Sequence, residues 1–92
     1  MTVLADKVIW ITGASSGIGK ALAQTAAQQS TKLILSGRRV DALEALATEL
    51  SVDCLVLPFE VTDYDVLASK VDEAWAWQGR VDILVNLSLI HI

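Results

Sequence analysis

Cysteine, histidine, proline and tyrosine each occur once in this chain of 92 residues. A single cysteine excludes an internal disulfide, and Cys54, inside an apolar run, reads as a core residue and not as a nucleophile. Basic residues form no block and the formal net charge is −4, which argues against a nucleic-acid partner. No apolar run approaches the roughly 20 residues of a membrane span, so no membrane partner is expected. Asp6 and Lys7 interrupt the short apolar start, which removes the pattern of a signal peptide and makes the cytoplasm the expected location. No metal site, internal repeat or low-complexity stretch is read. Aromatic residues make up 5% of the chain against 53% hydrophobic, so the core is aliphatic. That composition suits a parallel sheet buried by helices on both faces, at a length that allows one small domain.

The stretch around which the chain is organised is Thr12-Gly13-Ala14-Ser15-Ser16-Gly17-Ile18-Gly19. It follows the apolar run Val8-Ile9-Trp10-Ile11 and opens an alanine-rich helical pattern. A strand, a glycine turn and a helix start in that order make an anion site, because the helix N-terminus presents free N–H groups and partial positive charge. Gly13 is expected to make the turn off the strand, Gly17 to let backbone approach a pyrophosphate, and Gly19 to let the helix pack closely on the strand. Ser15 and Ser16 add hydroxyls that can donate to phosphate or ribose oxygens.

Downstream, strand and helix patterns alternate. The first helix is expected from 18 to about 29, with Ile18, Leu22 and Ala26 on the stripe that faces the sheet. Leu33-Ile34-Leu35 is the second strand. Val40, Leu43, Ala47 and Leu50 mark the second helix, and Cys54-Leu55-Val56-Leu57 the third strand, ended by Pro58. Thr62 or Asp63 would cap a third helix running from 63 to about 78, its stripe formed by Leu67, Val71, Ala74 and Trp75, with Gly79 as C-cap. Trp10 and Trp75 read as core, whereas Trp77 lies off the stripe. Asp82-Ile83-Leu84-Val85-Asn86 is the fourth strand. This alternation predicts an α/β fold with right-handed crossovers: the N-terminal half of a doubly wound parallel sheet of the Rossmann type, strand order 3-2-1-4.

The end of the second strand selects between dinucleotides, since an acidic residue there would hold the ribose of NAD and repel a 2′-phosphate. This chain has Gly37 at that place, followed by Arg38 and Arg39. A guanidinium binds phosphate through two parallel hydrogen bonds, so NADP is favoured over NAD.

Over residues 6–86 these features resemble the short-chain dehydrogenase/reductase family: the loop 12–19, the Arg38-Arg39 end of strand two, Glu60-Val61-Thr62-Asp63, and the Asp82 to Asn86 run. The resemblance implies an oxidoreductase moving hydride between NADP(H) and a small carbonyl or alcohol, acting as a homo-oligomer. It gives Glu60, where the family usually has aspartate, and Val61 the adenine contacts. It has Thr12 tie the fourth strand to the first loop, and it makes Asn86 the first residue of the family's Asn-Asn-Ala-Gly turn. The candidate cofactor set is therefore Thr12, Gly13, Ser15, Ser16, Gly17, Ile18, Gly19, Arg38, Arg39, Glu60, Val61 and Asn86. The family's catalytic serine and Tyr-x-x-x-Lys pair would lie beyond the fourth strand. The tyrosine present, Tyr64, has Ala68 four residues on, so no catalytic residue is assigned and the chain alone is expected to be inactive. A non-catalytic dinucleotide-binding or redox-sensing module of the same fold is the alternative reading.

After Asn86 the family pattern stops. Leu87-Ser88-Leu89-Ile90-His91-Ile92 reads as the translation of a transposase mosaic-end adapter, so residues 87–92 are expected to be a non-native tail on a domain of residues 1–86.

Overall fold

A computed structural model describes residues 5–59 and 64–87. The elements run β1 (Val8–Thr12), α1 (Gly17–Ala27), β2 (Lys32–Ser36), α2 (Val40–Glu49), β3 (Cys54–Val56), α3 (Tyr64–Gln78) and β4 (Ile83–Asn86). All pairings are parallel and the strand order is β3-β2-β1-β4, as the alternating pattern predicts. Register places Thr12 beside Ser36 on one side and Asn86 on the other, so three strands end in one row. The chain moves from β1 outward through β2 to β3, then crosses to β4 on the far side of β1. The order reverses at β1, and α/β sheets take ligands outside the carboxyl ends of the strands at such a point.

The strands alternate their side chains between two cores. Ile9, Ile11, Leu33 and Leu35 face α1 and α2, meeting Ala23, Ala26, Ala27, Leu43 and Leu46. Val8, Trp10 and Ile34 face the other way and meet Leu57, Phe59 and Ala74. β1 is buried along its whole length. That explains why its sequence is a continuous apolar run with no alternation.

Three helix faces differ from the periodicity reading. In α1 the buried residues are Gly19, Ala23, Ala26 and Ala27, whereas Ile18 is 74% exposed. At 100° per residue the stripe that starts on Gly19 excludes Ile18, and the small side chains allow the close approach that a leucine stripe would block. In α2 Leu43, Ala47 and Leu50 pack on the core as expected, joined by Leu46, and of the expected stripe only Val40 is exposed. In α3, Val66, Leu67, Ala74 and Trp77 contact the core. Val71 and Trp75 are exposed, Trp75 at 52%. The assignments of Trp75 and Trp77 are thus exchanged, because the helix is rotated so that positions 67, 74 and 77 share its inner face. Trp10 is core as expected, at 5% exposure.

Gly79 follows α3 with φ of 77°, the left-handed conformation of a C-cap. At the amino edge of the sheet, Asp82 N–H donates to the Val8 carbonyl at 2.9 Å, and the Asp82 carboxylate accepts the Val8 N–H at 2.8 Å. Arg80 Nε donates to the same carboxylate at 2.9 Å. These donors hold the Asp82 carboxyl below the usual carboxylate range, the Val8 N–H being the larger cause.

Candidate functional site

The glycine loop leaves β1 at Gly13, whose φ of 71° is open to few residues other than glycine. Ser16 then caps α1. Its Oγ accepts the Gly19 N–H at 3.1 Å and donates to the Gly13 carbonyl at 2.7 Å. The Ser16 hydroxyl is therefore engaged in holding the loop, which sequence pattern alone does not reveal. Among the described residues the N–H groups of Gly17 and Ile18 keep their free direction at the helix start.

The three glycines of the loop differ in what demands them. A Cβ at Gly19 would stand 2.8 Å from Ala14 Cα and closer still to the Gly13 carbonyl oxygen, so backbone contact excludes a side chain there. A Cβ at Gly17 would meet nothing within 4 Å. No contact among the described residues requires a glycine at 17. Its bare backbone faces open space in front of the helix terminus.

The row of strand ends is knitted together by side chains. Thr12 Oγ1 lies 2.9 Å from Asn86 Oδ1 and 3.3 Å from the Val85 carbonyl, and accepts the Leu87 N–H at 3.2 Å. The link from Thr12 to the fourth strand is present. On the other side, Trp10 Nε1 donates to Ser36 Oγ at 2.7 Å in the core. The Ser36 carbonyl accepts the Ala14 N–H at 2.9 Å, which ties the glycine loop to the end of β2. Phe59 N–H donates to the Gly37 carbonyl at 3.1 Å. Phe59 also packs its ring against Trp10, centroids 6.1 Å apart.

Beyond Gly37 a hollow of about 640 Å³ opens, lined by Arg38, Arg39, Pro58 and Phe59. Both arginines are exposed. Arg39 reaches Asp41 at only 3.8 Å, with both side chains largely in water, a pairing worth little. Among the described residues that line the hollow there is no carboxylate. Thr12, Gly13, Ser15, Ser16, Gly17, Ile18, Gly19, Arg38, Arg39 and Asn86 thus share the carboxyl edge of the sheet, whereas Glu60 and Val61 lie outside the described residues. Sequence reasoning missed the Trp10–Ser36 bond and the wall formed by Phe59. The signal for the first was a lone serine ending an apolar strand beside a tryptophan-bearing one.

A family profile described as short chain dehydrogenase matches residues 7–88. An uncharacterized oxidoreductase of Staphylococcus aureus (strain USA300) is 39% identical over 87 residues, spanning 94% of this chain and 38% of the relative. The human dehydrogenase/reductase SDR family member 7 is 40% identical over 90 residues, which is 26% of its length. The chain therefore spans well under half of the curated relatives it matches. Among solved structures, L-sorbose reductase from Gluconobacter frateurii, complexed with NADPH and L-sorbose, superposes with a TM-score of 0.85 at 30% identity, covering 99% of this chain and 36% of that one. A 3-ketoacyl-(acyl-carrier-protein) reductase from Brucella melitensis, complexed with NADH, gives 0.82 at 31% identity, over 88% of this chain and 33% of that one.

Proposed function

Because the chain belongs to the short-chain dehydrogenase family, we propose that residues 1–86 are the cofactor-binding N-terminal part of an NADP-dependent oxidoreductase acting on a small carbonyl or alcohol. In this reading residues 87–92 are a non-native tail and the full-length protein is a cytoplasmic homo-oligomer. Catalytic residues lie in the part of the family fold that this chain does not include, so the chain alone has no turnover. The bound dinucleotide supplies the hydride, and the residues of this chain hold it. The pyrophosphate would lie at the Gly17 and Ile18 N–H groups, a reading supported by the open space where a Cβ is missing and by the helix dipole, which favours an anion. Thr12 and Asn86 fix the far wall of the crevice.

The observation that supports the NADP reading is the hollow beside Gly37, where the described lining residues include two arginines and no carboxylate. A 2′-phosphate there would meet positive charge and planar donors. The test is calorimetric titration of the full-length protein with NADP and with NAD. NADP should bind at least about tenfold more tightly, the difference that one charge-assisted phosphate contact supports. Equal affinities would refute the cofactor assignment.

A further inference from the structure

The two edges of the sheet are finished differently. β3 ends it on one side with three residues, set between Asp53 and Pro58. A charge and a proline so close discourage further pairing. β4 ends it on the other side with Ile83-Leu84-Val85-Asn86, and among the described residues it pairs with β1 alone. This strand holds no charge, glycine or proline. Ile83 is 36% and Leu84 58% exposed. Outward backbone groups and wet apolar side chains make such an edge a template for another strand.

Both faces of β4 are apolar. Ile83 and Val85 lie beside Ile9 and Ile11 on the α1 side, where they and Leu22 and Ala26 line a groove of about 290 Å³. Leu84 lies beside Trp10 on the α3 side. Residues directly opposite in an antiparallel pair share a face, so the strand can meet a second copy of itself across a twofold axis. An axis perpendicular to the sheet at Leu84 would set Leu84 against Leu84 of the second copy on the α3 side. It would set Ile83 against Val85 of the second copy on the α1 side, at the mouth of the groove. Asp82, which Arg80 Nε meets at 2.9 Å, would fall opposite the neutral Asn86 of the second copy. No like charges face each other in this register, although the chain carries a net charge of −4. A slip of one residue would set side chains against the wrong face.

We propose that two copies of this 92-residue chain associate through β4, antiparallel and centred on Leu84, and join their two four-stranded sheets into one. The inference goes beyond dinucleotide binding and does not depend on it. The antiparallel arrangement puts the two glycine loops at opposite edges of the joined sheet, so pairing blocks neither. Leu84 is the anchor because it is the most exposed side chain of the strand and meets its own equivalent at the axis. Four-residue strands bury less than the roughly 1,200 Å² of a stable interface, so the dimer is reversible and its population follows concentration.

The test is sedimentation velocity of the 92-residue chain over a range of concentrations, with circular dichroism to check each variant. The chain should pass from monomer to dimer and no further, and Leu84→Lys should weaken the dimer by about tenfold or more, since it sets two ammonium groups at the axis. Register is read by oxidation of cysteine variants in a Cys54→Ser background. Leu84→Cys should form a covalent dimer, because residues directly opposite stand about 4.5–5.5 Å apart, within disulfide reach. Ile83→Cys and Val85→Cys should not cross-link when each is alone, and should cross-link when mixed. A chain that stays monomeric, that grows into larger species, or that cross-links equally at 83, 84 and 85 would overturn the proposal. If Leu84→Lys does not fold, the cysteine series still decides.

Discussion

Replacing Trp10 with phenylalanine tests whether one buried bond holds the floor of the site. Trp10 is 5% exposed, Ser36 is fully buried, and Nε1 to Oγ is 2.7 Å. Phenylalanine removes the donor and leaves a buried hydroxyl without it, at about 1–3 kcal/mol. The smaller ring also leaves space next to Phe59 and Ile34, adding about 1 kcal/mol. Trp10→Phe should therefore destabilise by about 2–4 kcal/mol. Ser36→Ala strands the indole N–H and should lose about 1–3 kcal/mol. In the double variant neither polar group remains to be stranded. Its loss should fall short of the sum of the singles by about 1–3 kcal/mol, well beyond the additivity of independent sites. Urea unfolding of the full-length protein, followed by far-UV circular dichroism at constant m, measures all three. A double variant that matches the sum within about 0.5 kcal/mol would refute the bond as a stabilising pair. Because the Ser36 carbonyl also holds Ala14, dinucleotide affinity should fall in both single variants, as titration would show.

Three further outcomes follow from the same geometry. Arg38→Ala should weaken NADP about ten- to a hundredfold by calorimetry and leave NAD nearly unchanged, since in the proposed reading the lost group would face the 2′-phosphate. Gly17→Ala should keep or slightly raise the melting temperature while weakening both dinucleotides, whereas Gly19→Ala should lower stability by about 1–3 kcal/mol or more because its Cβ meets backbone. Asp82 has a lowered carboxyl pKa, so its stabilising contribution is complete above the unfolded value of about 3.9 and is lost as pH falls through the lower folded value. Melting temperature measured against pH should drop below about pH 4, and Asp82→Asn should flatten that limb.

The sheet order and the strand positions were legible because burial on both faces writes itself as apolar runs. Val8 to Ile11 and Leu33 to Leu35 needed no further signal. Helix rotation was less legible. The reading of α1 placed Leu22 and Ala26 against the core, where they pack, but it weighted Ile18 by hydrophobicity, whereas the sheet accepts Gly19, Ala23 and Ala27 by size. The same preference for the larger side chain placed Trp75 inside and Trp77 outside. Contacts between separate loops were not legible at all, because they depend on register. Only the parallel pairing of Thr12 with Ser36 brings Ser15 over Gly37 and Ala14 onto Ser36.

The loop's glycines show how far a motif separates fold from function. Gly13 is required by its φ and Gly19 by backbone contact, so either would be retained in a protein that bound nothing. Gly17 has neither requirement, and glycine at a helix start weakens the helix relative to alanine. In the proposed reading its place is taken up by the pyrophosphate, close enough to the helix terminus that even a methyl group would intrude. Gly37 differs: there the space is taken by an atom of the chain, Ser15 Oγ. In the proposed reading Gly17 leaves room for the ligand, whereas Gly37 leaves room for Ser15 Oγ. Substituting alanine at both positions and comparing melting temperature with dinucleotide affinity distinguishes the two roles. Gly17→Ala should weaken NADP and NAD alike, whereas Gly37→Ala should weaken NADP selectively.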